Sequence, residues 1–258
     1  MASWAAASVP YFLYIGVTAA VMPRLAGRSR VRAAAVAALG LLVAVAGGYS
    51  PAFWLRLVLL PPLVLLLAYW SSGLLWTGPM PRVERALIRS DQVLRIPALA
   101  ARLPRIVIAA LESAYTGIYP IIPVALLLHL HYSASPDADR FWTVILVTDF
   151  VCFGMLPWIQ TRPPRAIEPA PPWRSPLRSF NVGMLARLSV GVNTVPSGHA
   201  AEALAAALLL SDAPAALAVW MWLAAAAISA GAVFGRYHYA VDAIAGWMVA
   251  LVVWSLMH

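Results

Sequence analysis

The chain has 258 residues, of which 62% are hydrophobic and only 11% are charged, whereas soluble domains carry about 25% charged residues. Its 21 prolines and 15 glycines exclude a coiled coil, and its apolar content excludes a disordered chain. A water-soluble fold of this size would lack a polar surface, so we predict an all-α, polytopic membrane helix bundle. The formal charge is +8, and all 18 basic residues are arginines, the side chain that binds phosphate bidentately.

Three apolar stretches begin the chain, over about 9–25, 31–49 and 53–77, and each approaches the roughly 20 residues that cross a bilayer. The first has no basic start, so it is predicted to be a retained span and not a cleaved signal peptide. The second ends at the turn signal Gly47-Gly48-Tyr49-Ser50-Pro51. The third contains Pro61-Pro62, which predicts a kink.

The middle of the chain differs in character, because segment 82–103 mixes seven charged residues with leucine, isoleucine and valine. This pattern predicts an amphipathic helix that lies on the membrane surface. Segment 161–193 is rich in proline and arginine and is predicted to be a loop with short surface helices. Further spans are predicted over about 105–131, 140–160, 195–211, 215–234 and 238–257, which gives seven or eight membrane helices.

The arginines predict the orientation of the bundle. Alternation of the spans places the arginines of segments 24–32, 82–105 and 161–193 on one side of the membrane. The opposite side holds little more than Arg56, Arg140 and a few acidic residues. By the positive-inside rule the arginine-rich side is predicted to be cytoplasmic. The candidate site described below lies on this side.

The single cysteine, Cys152, excludes an intramolecular disulfide.

Three short stretches with reactive side chains are predicted at this same end of the bundle. We refer to residues 160–165, 193–199 and 235–242 as the first, second and third motif segments. The third holds His238 and Asp242, which share a helix face at a spacing of four residues. A carboxylate on one ring nitrogen fixes the tautomer and leaves the other nitrogen free as a nucleophile or base. The alternative is a histidine and an acid that only neutralise each other in the membrane.

The other two motif segments are suited to an anion. Ser197 and Gly198 directly precede a helix whose first N–H groups and dipole favour a bound anion, and His199 is placed to exchange a proton with it. Arg162 and Arg165 add guanidinium groups beside rigid prolines. The alternatives are simple N-capping by Ser197 and arginines that only flank a span. Together the three segments are typical of a site for a phosphoryl group, and no metal-ligand cluster competes with it.

The sequence Pro196-Ser197-Gly198-His199, followed by His238-x-x-x-Asp242 and Ala245-Gly246, resembles the type 2 phosphatidic acid phosphatase superfamily. That superfamily includes lipid phosphate phosphatases, undecaprenyl pyrophosphate phosphatases and, more distantly, inositol phosphorylceramide synthases and vanadium haloperoxidases. The resemblance implies a six-helix phosphatase core over 53–258, preceded by an N-terminal transmembrane extension of one or two helices over 1–52.

Two departures from the family pattern concern the phosphate ligands. The first family motif has the form Lys-x6-Arg-Pro, and aligning it on Arg162-Pro163 places Met155 at the lysine. Because the chain has no lysine, Arg165 is the candidate substitute.

In the third family motif an arginine stands six residues before the histidine, where this chain has Ala232. Arg236 lies one helical turn further on and could reach the same phosphate. The chain has Pro-Pro-Arg in its first motif and Arg-Tyr-His-Tyr in its third. With these two motif forms it looks more like the inositol phosphorylceramide synthase-like branch than the typical phosphatases.

The resemblance implies an integral-membrane, metal-independent phosphatase without a cofactor, acting on a phosphatidate-type or polyprenyl phosphate lipid. His238 would form a phosphohistidine with Asp242 holding its other nitrogen, and His199 would act as acid and base. We expect phosphorylated lipid and the bilayer as partners, and no nucleic acid. A phosphotransferase that passes the group to an alcohol, and a non-catalytic lipid-binding or transport protein, remain alternatives. The expected phosphate ligands are Arg162, Arg165, Arg236, Ser197 and Gly198.

Overall fold

The computed structural model describes residues 1–257, and over that range it contains helices and loops but no β-strand. The predicted all-α bundle is thereby confirmed. A π-helical turn at Leu55–Leu59 precedes α3, and a 3-10 turn covers Pro164–Ala166. The α-helices in chain order are α1 (Ser3–Val21), α2 (Gly27–Gly48), α3 (Leu60–Gly73), α4 (Pro81–Val93), α5 (Ile96–Ala100), α6 (Arg105–Thr116), α7 (Ile118–Tyr132), α8 (Ala138–Gly154), α9 (Pro176–Leu188), α10 (Gly198–Leu209), α11 (Ala215–Phe234) and α12 (Ala240–Met257).

Five helical stretches are long and apolar enough to cross a membrane, namely α1, α2, Leu55–Gly73, α11 and α12. Helices α6 and α7 would form a sixth, bent by 64° at Gly117, where one span over about 105–131 was predicted. Helices α8 and α10 fall below that length with 17 and 12 residues. Both are shorter than predicted because the chain leaves the helical conformation to form the motif segments.

Helix α10 lies at the centre of the bundle, in contact with α7, α8, α11 and α12. It is built almost entirely from alanine and leucine, and nearly every residue from Ala200 to Leu209 is buried. Small side chains allow neighbouring helices to approach closely inside a membrane bundle. The helix spans about 18 Å at its 12 residues, well short of the roughly 30 Å hydrocarbon thickness. The second motif segment, which leads into α10, is mostly buried.

The predicted amphipathic segment forms two short helices, α4 and α5, which are separated at Arg95, a residue in the left-handed region with φ 56°. Helix α4 packs against α12 and α5. Its Leu87 is buried together with Glu84 and Asp91, while the arginines on its other face are exposed. The inner face of this helix therefore presents two carboxylates to the bundle.

Candidate active site

Backbone hydrogen bonds join the three motif segments pairwise. The first and second meet at a β-bridge between Thr161 and Asn193, where the Asn193 amide donates to the Thr161 carbonyl at 2.8 Å. The first and third meet where the Arg165 amide donates to the Arg236 carbonyl at 3.0 Å. The second and third meet where the Ser197 amide donates to the Asp242 carbonyl at 2.9 Å. Segments up to about 80 residues apart in sequence thus form one structural unit.

His238 and Asp242 lie close together as predicted, but they do not share a helix face, because α12 begins at Ala240 and His238 lies in the turn before it. Nδ1 of His238 is 3.7 Å from Oδ2 of Asp242, which is longer than a hydrogen bond, and this nitrogen is buried without a hydrogen-bond partner. The carboxylate is held instead by the side chain of Asn193 at 2.8 Å and by the amide of Tyr239 at 3.0 Å, both on Oδ2. Burial and the nearby Asp242 raise the pKa of the Tyr239 hydroxyl above its usual value, so this ring stays neutral.

His199 faces His238, with ring centroids 6.0 Å apart. Its imidazole lies parallel to the Tyr115 ring at 5.4 Å and edge-on to Tyr119 at 5.8 Å. Both tyrosines flank the Gly117 bend between α6 and α7, so the bend brings them to the histidine. Nε2 of His199 is buried and has no hydrogen-bond partner. The imidazole of His199 is therefore held by aromatic packing and leaves Nε2 available for a ligand, whereas the unpartnered Nδ1 of His238 faces Asp242.

Ser197, Gly198 and His199 have different roles at the start of α10. Ser197 caps the helix, because its hydroxyl accepts the Ala200 amide at 3.4 Å, and its own amide is bound to the Asp242 carbonyl. The next two amides, those of Gly198 and His199, belong to the first helical turn, where N–H groups have no partner inside the helix. In the described part of the chain no other group accepts from them. The free amides at this end are those of Gly198 and His199, one position later than the sequence predicted.

Arg162 is bound to the amphipathic helix. Its Nε and Nη2 donate to the two carboxylate oxygens of Glu84 at 3.1 and 2.9 Å, and its backbone amide donates to Oε1 at 2.8 Å. The hydrogen bonds from Arg162 lower the pKa of Glu84, and the same pair raises the pKa of Arg162. The Arg162 side chain is 46% exposed, so solvent screens this pair.

Arg236 is bound even more completely. Its Nη1 donates to Asp91 at 2.6 Å, and its Nε and Nη2 donate to Glu168 at 2.9 and 2.6 Å. Burial lowers the pKa of Arg236, but the hydrogen bonds to the two carboxylates outweigh this effect and the pKa is raised. The residue adopts a φ of 61°, which directs the chain so that the His238 amide reaches the Ala232 carbonyl at 2.9 Å. Direct phosphate contact by Arg236 is disfavoured, because its donors already serve two carboxylates.

Arg165 is the arginine of the predicted set that faces the histidines. Its Nη1 donates to the Tyr237 carbonyl at 3.3 Å, and its guanidinium lies 5.6 Å from the centroid of the Tyr237 ring. Its positive charge interacts electrostatically with His199 and Tyr119. No carboxylate in the described residues pairs with it. Of the three predicted arginines, Arg165 therefore has the guanidinium best placed for an anion.

A hydrogen-bond network around Glu112, which was not predicted from the sequence, supports the aromatic rings that pack beside His199. The buried Glu112 carboxylate accepts from Trp173 at 2.8 Å, Arg178 at 3.1 Å, Asn181 at 2.6 Å and Tyr237 at 2.7 Å. The Tyr237 ring in turn stacks on Tyr115 at 3.9 Å, which is the ring beneath His199. A glutamate in an apolar run was the only signal of this network in the sequence.

Buried polar atoms without a partner concentrate at this end of the bundle. Apart from the indole nitrogen of Trp4, the described side-chain atoms of this kind belong to the motif segments or to the neighbouring turn of α8 (Thr148, Asp149, Asn193, His199, His238 and Asp242). Native proteins leave few such atoms, and they mark sites that await a ligand or water. Residues 1–257 contain no group of three or more His, Cys, Asp or Glu side chains that could hold a metal ion.

Comparison with known proteins agrees with this geometry. A family model of the PAP2 superfamily matches residues 85–256, about two thirds of the chain, and this range contains all three motif segments. No curated protein and no solved structure matches the chain. The chain belongs to the PAP2 superfamily, whose members are generally phosphatase-like enzymes.

Proposed function

We propose that this member of the PAP2 superfamily hydrolyses a phosphorylated lipid through a phosphohistidine at His238. The observation that carries the proposal is the pair of imidazoles, with ring centroids 6.0 Å apart, beside the guanidinium of Arg165, which pairs with no carboxylate in the described residues. Phosphoryl transfer needs positioning and positive charge around the three equatorial oxygens, and little else from the protein.

Two half-reactions follow from this arrangement. In the first, Nε2 of His238 attacks phosphorus, the bond from phosphorus to the lipid oxygen breaks, and His199 donates a proton to that oxygen. In the second, His199 takes a proton from water, the resulting hydroxide attacks phosphorus, and the bond to His238 breaks as phosphate leaves. Asp242 stabilises the positive charge that develops on His238, since its Oδ2 is 3.7 Å from Nδ1.

The phosphate oxygens are assigned to Arg165 and to the free amides of Gly198 and His199 at the start of α10. Ser197 contributes as the cap that fixes this helix start. Arg162 and Arg236 serve as positioning residues, because Glu84, Asp91 and Glu168 engage their guanidinium groups. Arg162 links the first motif segment to α4. Arg236 links the third motif segment to α4 and to the loop that contains Glu168.

The proposal is tested with purified protein and a panel of lipid phosphates, by measuring phosphate release for His238→Ala, His199→Ala and Asp242→Asn. We expect the first two to lose at least about a thousandfold in kcat, as loss of a nucleophile or its acid–base partner does. Acid-labile phosphoenzyme should form from labelled substrate in the wild-type protein and be absent from His238→Ala. Wild-type turnover by His238→Ala would exclude it as the nucleophile.

Two further measurements define the reaction. Activity should persist in excess chelator, because arginine and backbone amides supply the positive charge; strict dependence on an added divalent metal would contradict this. Free phosphate as the product, with or without added alcohols, indicates a hydrolase. An acceptor-dependent phospholipid product would instead indicate a phosphotransferase.

We also propose that the site opens to the cytoplasm, on the basis of the arginine distribution. The only native cysteine, Cys152, is buried, so single engineered cysteines can be labelled without background. Ala170→Cys, in the exposed loop after the first motif segment, should react only after the membrane is permeabilised. Ser135→Cys, in the exposed loop between α7 and α8, is the matched control and should react in intact cells. The reverse result would place the site outside.

A further inference from the structure

Arg165 and His199, the two groups that the proposed mechanism places at the phosphate, lack charged partners that would hold them. Arg165 forms no ion pair with a described carboxylate, whereas the guanidinium groups of Arg162 and Arg236 are each bound by carboxylates. Nε2 of His199 has no hydrogen-bond partner. Because ordering a mobile arginine side chain costs entropy, a site that binds phosphate needs other contacts to hold these two groups.

A row of ring contacts joins the two groups. The Tyr237 ring lies parallel to the Tyr115 ring, with centroids 3.9 Å apart and planes inclined by 5°. Tyr115 also lies parallel to the His199 imidazole, with centroids 5.4 Å apart and planes inclined by 7°. The central guanidinium carbon of Arg165 lies 5.6 Å from the centroid of the Tyr237 ring, within the range of a cation–π contact. We refer to Arg165, Tyr237, Tyr115 and His199, in this order of contact, as the aromatic stack.

Helix α6 holds the Tyr237 side chain at two points. Glu112 accepts a hydrogen bond of 2.7 Å from the Tyr237 hydroxyl, and Tyr115, three residues further along the same helix face, stacks on the ring itself. The helix is in turn closely packed against α11, because a Cβ on Gly231 would lie 2.5 Å from the carbonyl oxygen of Leu111. The hydroxyl and the ring of Tyr237 are thus both bound to one tightly packed element.

The position of Tyr237 affects both ends of the aromatic stack. Its carbonyl oxygen accepts from Nη1 of Arg165 at 3.3 Å, so the guanidinium contacts both the main chain and the ring of this residue. A shift of the ring would move the guanidinium relative to the phosphate oxygens, and it would release Tyr115 from the ring that packs on it opposite His199 in the order of contacts. Misplacement of a reacting group by about 1 Å can cost about 100-fold in rate, so these contacts bear on catalysis.

We propose that Tyr237 is a positioning residue for the guanidinium of Arg165 and the imidazole of His199, and that Glu112 anchors it through the hydroxyl group. This role rests on the proposed function and adds a residue that touches neither the phosphate nor the lipid. The Tyr237 ring acts on phosphate binding through Arg165 and on proton transfer through Tyr115 and His199.

The test measures kcat, KM and the inhibition constant of inorganic phosphate for the full-length protein in detergent micelles, with a lipid phosphate that the wild-type protein hydrolyses. Tyr237→Leu removes the ring, and we expect kcat/KM to fall by at least about 30-fold and the inhibition constant of phosphate to rise at least about fivefold. Tyr237→Phe keeps the ring but loses the hydrogen bond to Glu112, and both effects should be smaller, about two- to fivefold.

Tyr11 supplies matched controls for the loss of buried packing. This residue is also buried, stacks on the Phe150 ring at 4.4 Å and donates a hydrogen bond of 3.0 Å to the Ala68 carbonyl, but it lies on α1, outside the motif segments. Tyr11→Leu and Tyr11→Phe should lower the thermal unfolding temperature but leave kcat and the inhibition constant of phosphate at their wild-type values. Equal losses of phosphate binding in the Tyr11 and Tyr237 variants would show general destabilisation and overturn the role of Tyr237.

A double-mutant cycle separates positioning from packing. In the Arg165→Ala background, Tyr237→Leu should change the inhibition constant of phosphate by less than about twofold, because the guanidinium through which the ring acts is absent. A change of fivefold or more in both backgrounds would mean that Tyr237 does not act through Arg165.

Failure of this role and failure of the proposed function give different results. If the wild-type protein is active and Tyr237→Leu keeps its inhibition constant for phosphate, only the role of Tyr237 is overturned. If the wild-type protein releases no phosphate from any lipid of the panel, the proposed function fails, and protection by inorganic phosphate against thermal unfolding then tests the aromatic stack. Absence of protection in the wild-type protein, or equal protection of Tyr237→Leu, overturns the role as well. Should Tyr237→Leu aggregate on size exclusion, wild-type kinetics in Tyr237→Phe overturn it.

Discussion

Asn193 donates a hydrogen bond of 2.8 Å to Oδ2 of Asp242, the same carboxylate oxygen that lies 3.7 Å from the His238 ring. Asn193 is itself fixed by Thr161, through a backbone hydrogen bond of 2.8 Å and a side-chain contact of 3.2 Å. The first motif segment thus controls the orientation of Asp242 through one amide side chain. The carboxylate is set in place before His238 acquires any charge.

Replacement of Asn193 should therefore impair catalysis more than binding. We expect Asn193→Ala to lower kcat by about 10- to 100-fold with little change in KM, the loss typical of removing a partner that orients a reactive group. The measurement is steady-state phosphate release. Gln92→Ala, which removes an exposed amide on α4, is the control and should match wild type. An unchanged kcat in Asn193→Ala would show that Asp242 needs no support from the second motif segment.

The arginines should separate into two classes. Arg165→Ala is expected to lower kcat/KM by about 100- to 1000-fold, because a positive charge aimed at the transferring phosphoryl group acts in the transition state. Arg162→Ala should cost about tenfold or less, because its guanidinium is occupied by Glu84 and partly exposed. Competitive inhibition by inorganic phosphate should weaken in the first variant and persist in the second. Equal losses in both variants would contradict the assignment.

The pair between Glu84 and Arg162 makes the docking of α4 depend on pH. The pKa of Glu84 is lowered by its hydrogen bonds to Arg162, so the pair stabilises the folded state above the unfolded value of about 4.3 and this contribution is lost as the pH falls through the lower, folded pKa. A spin label on Val93→Cys, at an 82% exposed position on α4, should be immobile at pH 7 and become mobile in acid below that folded pKa.

Glu84→Gln is the control for this pH effect. In that background the label should already be more mobile at pH 7, and the transition assigned to Glu84 should disappear. If the labelled parent and the Glu84→Gln variant show the same pH profile, the pair does not hold α4.

The sequence was sufficient to predict most helices of the bundle and the two histidines of the candidate site. Apolar runs near bilayer length, the turn signals and the charged segment before Arg105 gave the helices in order, because each reflects local composition. The proximity of His238 and Asp242 was predicted, but the assumed shared helix face was wrong. Residues 235–239 form a turn before α12, and this turn brings His238 close to Asp242 in the first turn of that helix.

The partners of the arginines could not be predicted from local pattern. Arg236 pairs with Asp91, which is 145 residues away, and Arg162 pairs with Glu84, which is 78 residues away. Which carboxylate binds which guanidinium depends on how α4 docks, a property of the assembled bundle. The bend at Gly117 escaped prediction for the same reason, because the contacts that it allows join Tyr115 and Tyr119 to His199 on another helix.

The close approach of α12 to the second motif segment requires a glycine at position 246. A Cβ there would lie 2.5 Å from the Ser197 carbonyl oxygen and 3.2 Å from the Ala201 amide, both of which are backbone atoms that cannot rotate away. Gly246→Ala must therefore displace the start of α10, at a cost of about 1–3 kcal/mol in stability and a loss of activity larger than this destabilisation alone would cause. Thermal unfolding in detergent and phosphate release on the same samples measure both effects. Gly16→Ala, where a Cβ meets no atom within 4 Å, is the matched control and should retain wild-type stability and turnover. If Gly246→Ala remained as stable and as active as Gly16→Ala, the contact between α12 and Ser197 would not be what positions His199.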